Sequence, residues 1–208
     1  MAVTRLTRGQ SRERTKGELR KAALNEFAGA GYAGASIDRI CEAAGFSRGS
    51  FYANYASKHE LMLELMREMS ELEVKRWREL IAAHSADRED FAASVAQRFE
   101  ALMEETPWAL FAVEAQLQAR RDSQFASKHR EYMSFVDVSI KALLSMSFQH
   151  AGKQLPDDLE LLSRTFYSLS LGMFLSSDLA CPKASAKVAG AAMARLYRGL
   201  LATAPDAK

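Results

Sequence analysis

Residues Ser36 to Leu61, SIDRICEAAGFSRGSFYANYASKHEL, constrain the fold more than any other part of this 208-residue chain. Ile37, Ile40, Cys41 and Ala44 recur at i, i+3, i+4 and i+7, so they share one face of a short helix. Ser36 stands where an N-cap is needed, and Asp38 puts negative charge in the electropositive first turn. Gly45 follows as the left-handed residue that closes a helix. Ser47 is placed to cap a second short helix, with Phe46 and Phe51 flanking that cap at the spacing of a hydrophobic staple. Phe51 and Tyr55, four apart, give this helix an inward face. Ser57-Lys-His-Glu60 reads as a capping box that opens a third, longer helix. Two helices around a short Gly-containing turn, the second basic at its start, form the helix-turn-helix pattern of proteins that read the major groove of DNA.

The expected recognition helix runs from Arg48 to Tyr55. Opposite Phe51 and Tyr55 it presents Gly49 and Ala53, with Ser50 and Tyr52 on the flanks. An exposed helical glycine costs about 1 kcal/mol relative to alanine, and close approach to a groove floor would account for it. Arg48, Gly49, Ser50, Ala53 and Asn54 are therefore the candidates for reading bases. Arg48 suits guanine, Ala53 a thymine methyl and Asn54 adenine or a phosphate. Ser36, Arg39, Tyr52 and Lys58 are the candidates for phosphates. Lys58 opposes the dipole of the helix it begins, and a phosphate resting on that helix end would reverse the sign. The bland alternative is a helical hairpin without function.

From about Thr15 to Leu65 the chain resembles the DNA-binding domain of the tetracycline-repressor (TetR) family of bacterial transcription regulators. The resemblance rests on Thr15, Ala22-Ala23, Phe27, Gly31-Tyr32, Ala35-Ser36-Ile37, Ile40, Ala43-Ala44-Gly45-Phe46-Ser47, Gly49, Phe51-Tyr52, Tyr55 and Ser57-Lys58. It implies an all-α, nine-helix fold with a three-helix DNA-binding domain and a helical ligand-binding and dimerisation domain. It also implies a homodimer whose paired recognition helices enter successive major grooves of a palindromic operator, and phosphate contacts from Tyr52 and Lys58. Ala53-Asn54 replaces a larger, often aromatic or histidine pair, and Phe46 and Phe51 replace smaller aliphatics.

Composition narrows the alternatives. Residues 1–60 hold ten Lys/Arg against six Asp/Glu, whereas residues 61–208 hold eighteen against twenty, so the basic excess coincides with the helix-turn-helix. Arg5, Arg8, Arg12 and Arg14 form a basic arm over residues 1–14 that either follows DNA or is a solvated tail. The longest uncharged apolar stretch, Thr165 to Ser177, is too short for a bilayer, and the start lacks a signal-peptide core, so no membrane partner and a cytoplasmic location are expected. Two cysteines far apart argue against a disulfide framework, and Cys41 reads as a small buried hydrophobe. His84, His129 and His150 stand alone without metal-ligand spacing. No phosphate-binding loop, dinucleotide fingerprint or catalytic motif is present, so neither metal, cofactor nor enzymatic activity is expected.

The division expected is 1–60 for DNA binding and 61–208 for ligand binding and dimerisation. Thr15-Lys-Gly-Glu18 reads as a capping box for the first helix, though Ser11 is a possible start. Later starts are marked by Asp87, Thr106-Pro107, about Gln124, Pro156-Asp157 and about Ala184, and Cys181-Pro182 marks a stop. A ligand pocket for a small hydrophobic or amphipathic effector is expected between helices five and eight. Its candidates are Phe99, Met103, Trp108, Phe111, Met133, Phe166 and Met173, with Glu114 and Gln118 as polar groups. The last two helices carry small residues, and the resemblance implies the dimer interface there: Phe166, Ser170, Phe174, Val188, Ala191, Ala192 and Arg195. The competing readings are a ligand-independent or architectural DNA-binding protein, and an enzyme or small-molecule carrier.

Overall fold

The computed structural model describes residues 7–83, 88–104, 106–177 and 180–207, without the side chains of 88–90 and 106–109. Among them it has nine helices and no strand: α1 (Arg8–Gly34), α2 (Ile37–Ala44), α3 (Arg48–Tyr52), α4 (Lys58–Ala83), α5 (Arg88–Glu104), α6 (Thr106–Arg121), α7 (Ser123–His150), α8 (Leu159–Leu175) and α9 (Pro182–Thr203). The fold is all-α, as the sequence predicts.

The helix ends follow local chemistry. Ser36 caps α2 by accepting from the Asp38 amide, and Gly45 closes it at φ +72°. Ser47 caps α3 by accepting from the Ser50 amide. Ser57 accepts from the Glu60 amide at 3.2 Å, but the Glu60 carboxylate reaches past the expected cap to the Ala56 amide at 2.6 Å.

Three ends differ from expectation. α1 opens at Arg8, because Thr7 and Gln10 form a capping box of their own. Thr15 instead lies inside α1, its hydroxyl donating to the Ser11 carbonyl at 3.0 Å. Arg8, Arg12 and Arg14 thus stand exposed on the first turns of a helix, while Arg5 lies outside the described residues. α8 begins after Asp158, whose carboxylate accepts from the Leu161 amide, two residues beyond the Pro156-Asp157 signal. α9 begins at Pro182, whose fixed φ suits the first helical position. Asp87 and His84 lie outside the described residues.

The chain forms two compact units. One comprises the residues through Glu68 together with Leu110–His129; the other comprises Met69–Ala109 and Arg130–Lys208. The last turns of α6 and the first of α7 thus pack with α1–α3, and a single cut at residue 60 does not describe the chain. In the first unit, Leu19, Ala23, Phe27, Ile40, Phe51, Tyr55 and Leu61 are buried together with Phe111 and Phe125. Phe111 meets Phe27 edge-on at 5.9 Å, and Tyr32 lies against Phe125 at 6.2 Å. The core of the second unit is built on Phe91, Val95, Phe99, Leu144, Phe148, Leu162, Met193 and Tyr197. There α9 meets α5 so closely that a Cβ on Gly190 would stand 2.5 Å from the Ala96 carbonyl oxygen.

Candidate nucleic-acid interface and cavity

Phe51 and Tyr55 anchor α3 from below, fully buried, and leave the other side of the turn in solvent. Arg48, Gly49, Tyr52 and Ala53 are exposed and Ser50 is half-buried. α3 closes at Tyr52, shorter than the span to Tyr55 read from the sequence. Its closure uses Asn54, whose amide donates to the Ser50 carbonyl at 2.8 Å while its oxygen accepts from Arg12 at 3.3 Å. Asn54 is therefore a closing residue here, with both ends of its amide occupied. Ala53 lies just past the helix, as its C-cap. Arg48 pairs with Asp38 at 3.3 Å, both side chains mostly exposed. Such a pair is worth about 0–1 kcal/mol and yields readily to a stronger partner.

The phosphate candidates divide. Tyr52 is half exposed and turned outward. Ser36 is spent on its cap, and its amide donates to Glu26 at 3.1 Å. Arg39 pairs with Glu26 and donates to the Gly34 carbonyl, bracing the α1–α2 corner, although its side chain stays half exposed. Lys58 turns inward. Its ammonium donates to the carbonyls of Tyr32 and Ala35, both at 2.7 Å, and lies 4.4 Å from the centre of the Tyr32 ring. Burial holds its pKa below the ordinary lysine value, against the pull of Glu26. In this conformation its charge stabilises the corner of the unit.

Four side chains not expected in this role hold the platform. Glu64 receives Lys16 at 3.1 Å, Arg20 at 3.0 Å and the Tyr55 hydroxyl at 3.1 Å. Burial works to raise its pKa, and these donors outweigh burial and leave it lowered. Glu26 organises the other corner. Glu114, expected in a pocket, accepts from the Tyr32 amide at 3.2 Å over Gly31, whose φ of +66° lets the chain turn beneath the carboxylate. His59 stacks on Tyr32 at 5.3 Å, lies tilted against Phe125 at 5.0 Å, and faces Asp122 at 3.5 Å and Gln118 at 3.4 Å. The one sequence signal that could have found these is position: each lies next to a motif residue or on an inward helical register.

The second unit contains an apolar cavity of about 160 Å³. α4, α5, α7 and α8 line it, with Tyr197 of α9. Phe99 and Phe166 line it as expected. Phe111, Glu114 and Gln118 belong to the first unit instead, because α6 from Leu110 onward packs there. Met133 borders a separate, more polar hollow with Arg130, Asp137 and Arg164. Met173 packs on the core of the unit, Met103 is half-buried outside the cavity wall, and Trp108 lies outside the described side chains. Trp77, Phe135 and Tyr167 line the cavity unanticipated, being on helical faces that also carry charge.

Of the dimer candidates, Phe166 faces the cavity and Ser170 lines it, its hydroxyl donating to the Phe166 carbonyl at 2.7 Å. Val188, Ala191 and Arg195 are exposed, and Phe174 and Ala192 are half-buried. Ala189 and Gly190 are buried within the unit. No group of His, Cys, Asp and Glu among the described residues is placed to hold a metal ion. No described helix is long and apolar enough to cross a membrane.

A capped two-helix turn braced on a third helix, with a basic, outward second helix, defines a helix-turn-helix DNA-binding regulator. Residues 19–65 match the model of the bacterial regulatory proteins of the tetR family. The transcriptional repressor AcnR of Corynebacterium glutamicum is 27% identical over 168 residues, covering 81% of this chain and 84% of AcnR. The AcnR of Corynebacterium diphtheriae is 27% identical over 160 residues, 76% of this chain and 78% of that protein. Among solved structures, Salmonella enterica GusR superposes with a TM-score of 0.73 at 20% identity, covering 96% of this chain and 100% of GusR. FadR of Bacillus subtilis in complex with stearoyl-CoA gives 0.64 at 18% identity, covering 90% and 97%. The chain is a transcriptional regulator.

Proposed function

We propose that the protein is a homodimeric repressor that binds an inverted-repeat operator and leaves it when a small hydrophobic or amphipathic molecule occupies the second unit. The observation that carries this reading is α3, anchored by Phe51 and Tyr55 and presenting Arg48, Gly49, Tyr52 and Ala53 outward. One short recognition helix reads few base pairs, so a two-fold pair on two half-sites is the arrangement that provides useful affinity. Repression is supported by the likeness to AcnR. Ligand control is supported by the cavity, an apolar space lined by the helices of one unit. An effector acts by favouring the conformer whose recognition helices are wrongly spaced, and a coupling of about 1–3 kcal/mol releases DNA about 5- to 150-fold. The chain of α4, which passes through both units, is the continuous covalent route for that coupling.

The test is selection of genomic fragments by the purified protein, followed by footprinting. The expected outcome is a protected inverted repeat with half-sites about one helical turn apart. Protection without sequence preference would favour the architectural reading. Unchanged operator affinity in the presence of every molecule that fills the cavity would favour ligand-independent regulation.

A further inference from the structure

Resting on the reading of the cavity as the effector site, we propose that its ligand is a small, uncharged, one-ring aromatic molecule that carries a hydrogen-bond donor, a simple phenol being the type. Three independent properties of the wall lead there.

The first is size. At about 160 Å³ the cavity is close to an apolar protein cavity of about 150 Å³ that stays dry and takes up benzene. Its walls supply ring faces and edges: Trp77 meets Phe99 at 5.3 Å, and Phe91 meets Tyr197 at 5.4 Å. A long acyl chain would extend beyond such a volume.

The second is charge. Among the described lining residues the only charged one is Glu73, and Arg98, outside the lining, donates to it at 2.7 Å. An anionic ligand would lose its water beside that carboxylate with no cation in the wall to replace it. A neutral one loses nothing of the kind.

The third is hydrogen-bond polarity. The Ser147 hydroxyl donates to the Leu144 carbonyl at 2.9 Å and the Ser170 hydroxyl donates to the Phe166 carbonyl at 2.7 Å. Each hydroxyl has one hydrogen, so both retain lone pairs alone for a guest. Glu73 likewise offers only oxygen acceptors. A guest that meets Ser147, Ser170 and Glu73 finds acceptors there, and a hydroxyl or N–H on it has partners.

The experiment uses the full chain with phenol, toluene and octanoate as probes, read by thermal unfolding and tryptophan fluorescence, since Trp77 borders the cavity. Phenol is expected to raise Tm saturably, toluene to do so more weakly, and octanoate to leave it unchanged. Ser170→Ala removes one acceptor and is expected to weaken phenol roughly three- to tenfold while leaving toluene unaffected. Ser139→Phe places a ring in the cavity and is expected to abolish phenol binding in protein whose circular dichroism matches wild type. Octanoate binding as well as phenol, no binding of any probe, or Ser170→Ala leaving the phenol-to-toluene ratio intact would overturn the assignment. Phenol that binds without changing affinity for the selected operator supports this ligand class and removes the effector reading. A carboxylate that binds and releases the operator does the reverse.

Discussion

Lys58 spends its charge inside the protein. A cation at a helix start is unfavourable by dipole alone, but its two carbonyl acceptors at the α1–α2 corner outweigh that. Lys58→Met is expected to destabilise the chain by about 2–3 kcal/mol in urea, by leaving those carbonyls unpaired. It is expected to leave the salt dependence of DNA binding unchanged. A slope flattened by about one unit per contact, with stability untouched, would instead place the ammonium on a phosphate. His59 and His129 lie in the same unit and their pKa values are lowered by burial from the ordinary 6.5; Asp122 pulls the other way on His59. The unfolded chain therefore binds more protons between the folded value and 6.5, so stability rises with pH across that interval. Lowering the pH below about 6.5 is expected to lower Tm, and His59→Gln is expected to reduce that dependence. Loss confined to pH values below the ordinary carboxyl range would trace it to Glu64 and Glu26 instead. The sequence marks Lys58 as a phosphate candidate and does not reveal its contacts to Tyr32 and Ala35, because a periodic pattern says which face a residue occupies and not which carbonyl it meets.

The short helices were legible because their signals are local. Ser36, Gly45 and Ser47 act within four residues of themselves, and each takes its expected part. Asn54, expected among the base readers, here closes α3 and meets Arg12, forty-two positions away, a partner that no local signal reveals. α6 was misplaced for a similar reason: the apolar stripe with Phe111 is plain in the sequence, yet nothing in the stripe says which of two cores it joins. The small residues of α9 divide in the same way. Gly190 belongs to the α5 contact, where its missing side chain admits the Ala96 carbonyl. Gly190→Ala is expected to cost about 1–3 kcal/mol by overpacking, measured by chemical denaturation, and no cost would mean that the helices separate freely. Val188, 69% exposed, is the apolar residue left outside on α9, as Leu161 and Leu175 are on α8, each 61% exposed. If these faces form the dimer, Val188→Glu is expected to yield folded monomers in sedimentation that bind the operator weakly. A variant that remains dimeric would exclude this face of α9.

At the scale of the whole molecule, sequence and structure agree on the class and differ on which helices wall the cavity. The cavity expected among the later helices is present, but its walls come from α4, α5, α7, α8 and α9 and not from α6. Glu114 and Gln118, expected to orient a ligand, instead meet the Tyr32 amide at the end of α1 and the ring of His59. A polar residue on an apolar stripe marks a buried partner, and the sequence does not say whether that partner is a ligand or the chain's own backbone. The central claim remains that α3 reads DNA. The most direct measurement is equilibrium binding of wild type and Arg48→Ala to the selected operator and to its single-base variants. Arg48→Ala is expected to lose about 1–3 kcal/mol per half-site contact and to relax preference at one position in each half-site. Unchanged affinity together with an unchanged preference profile would contradict it.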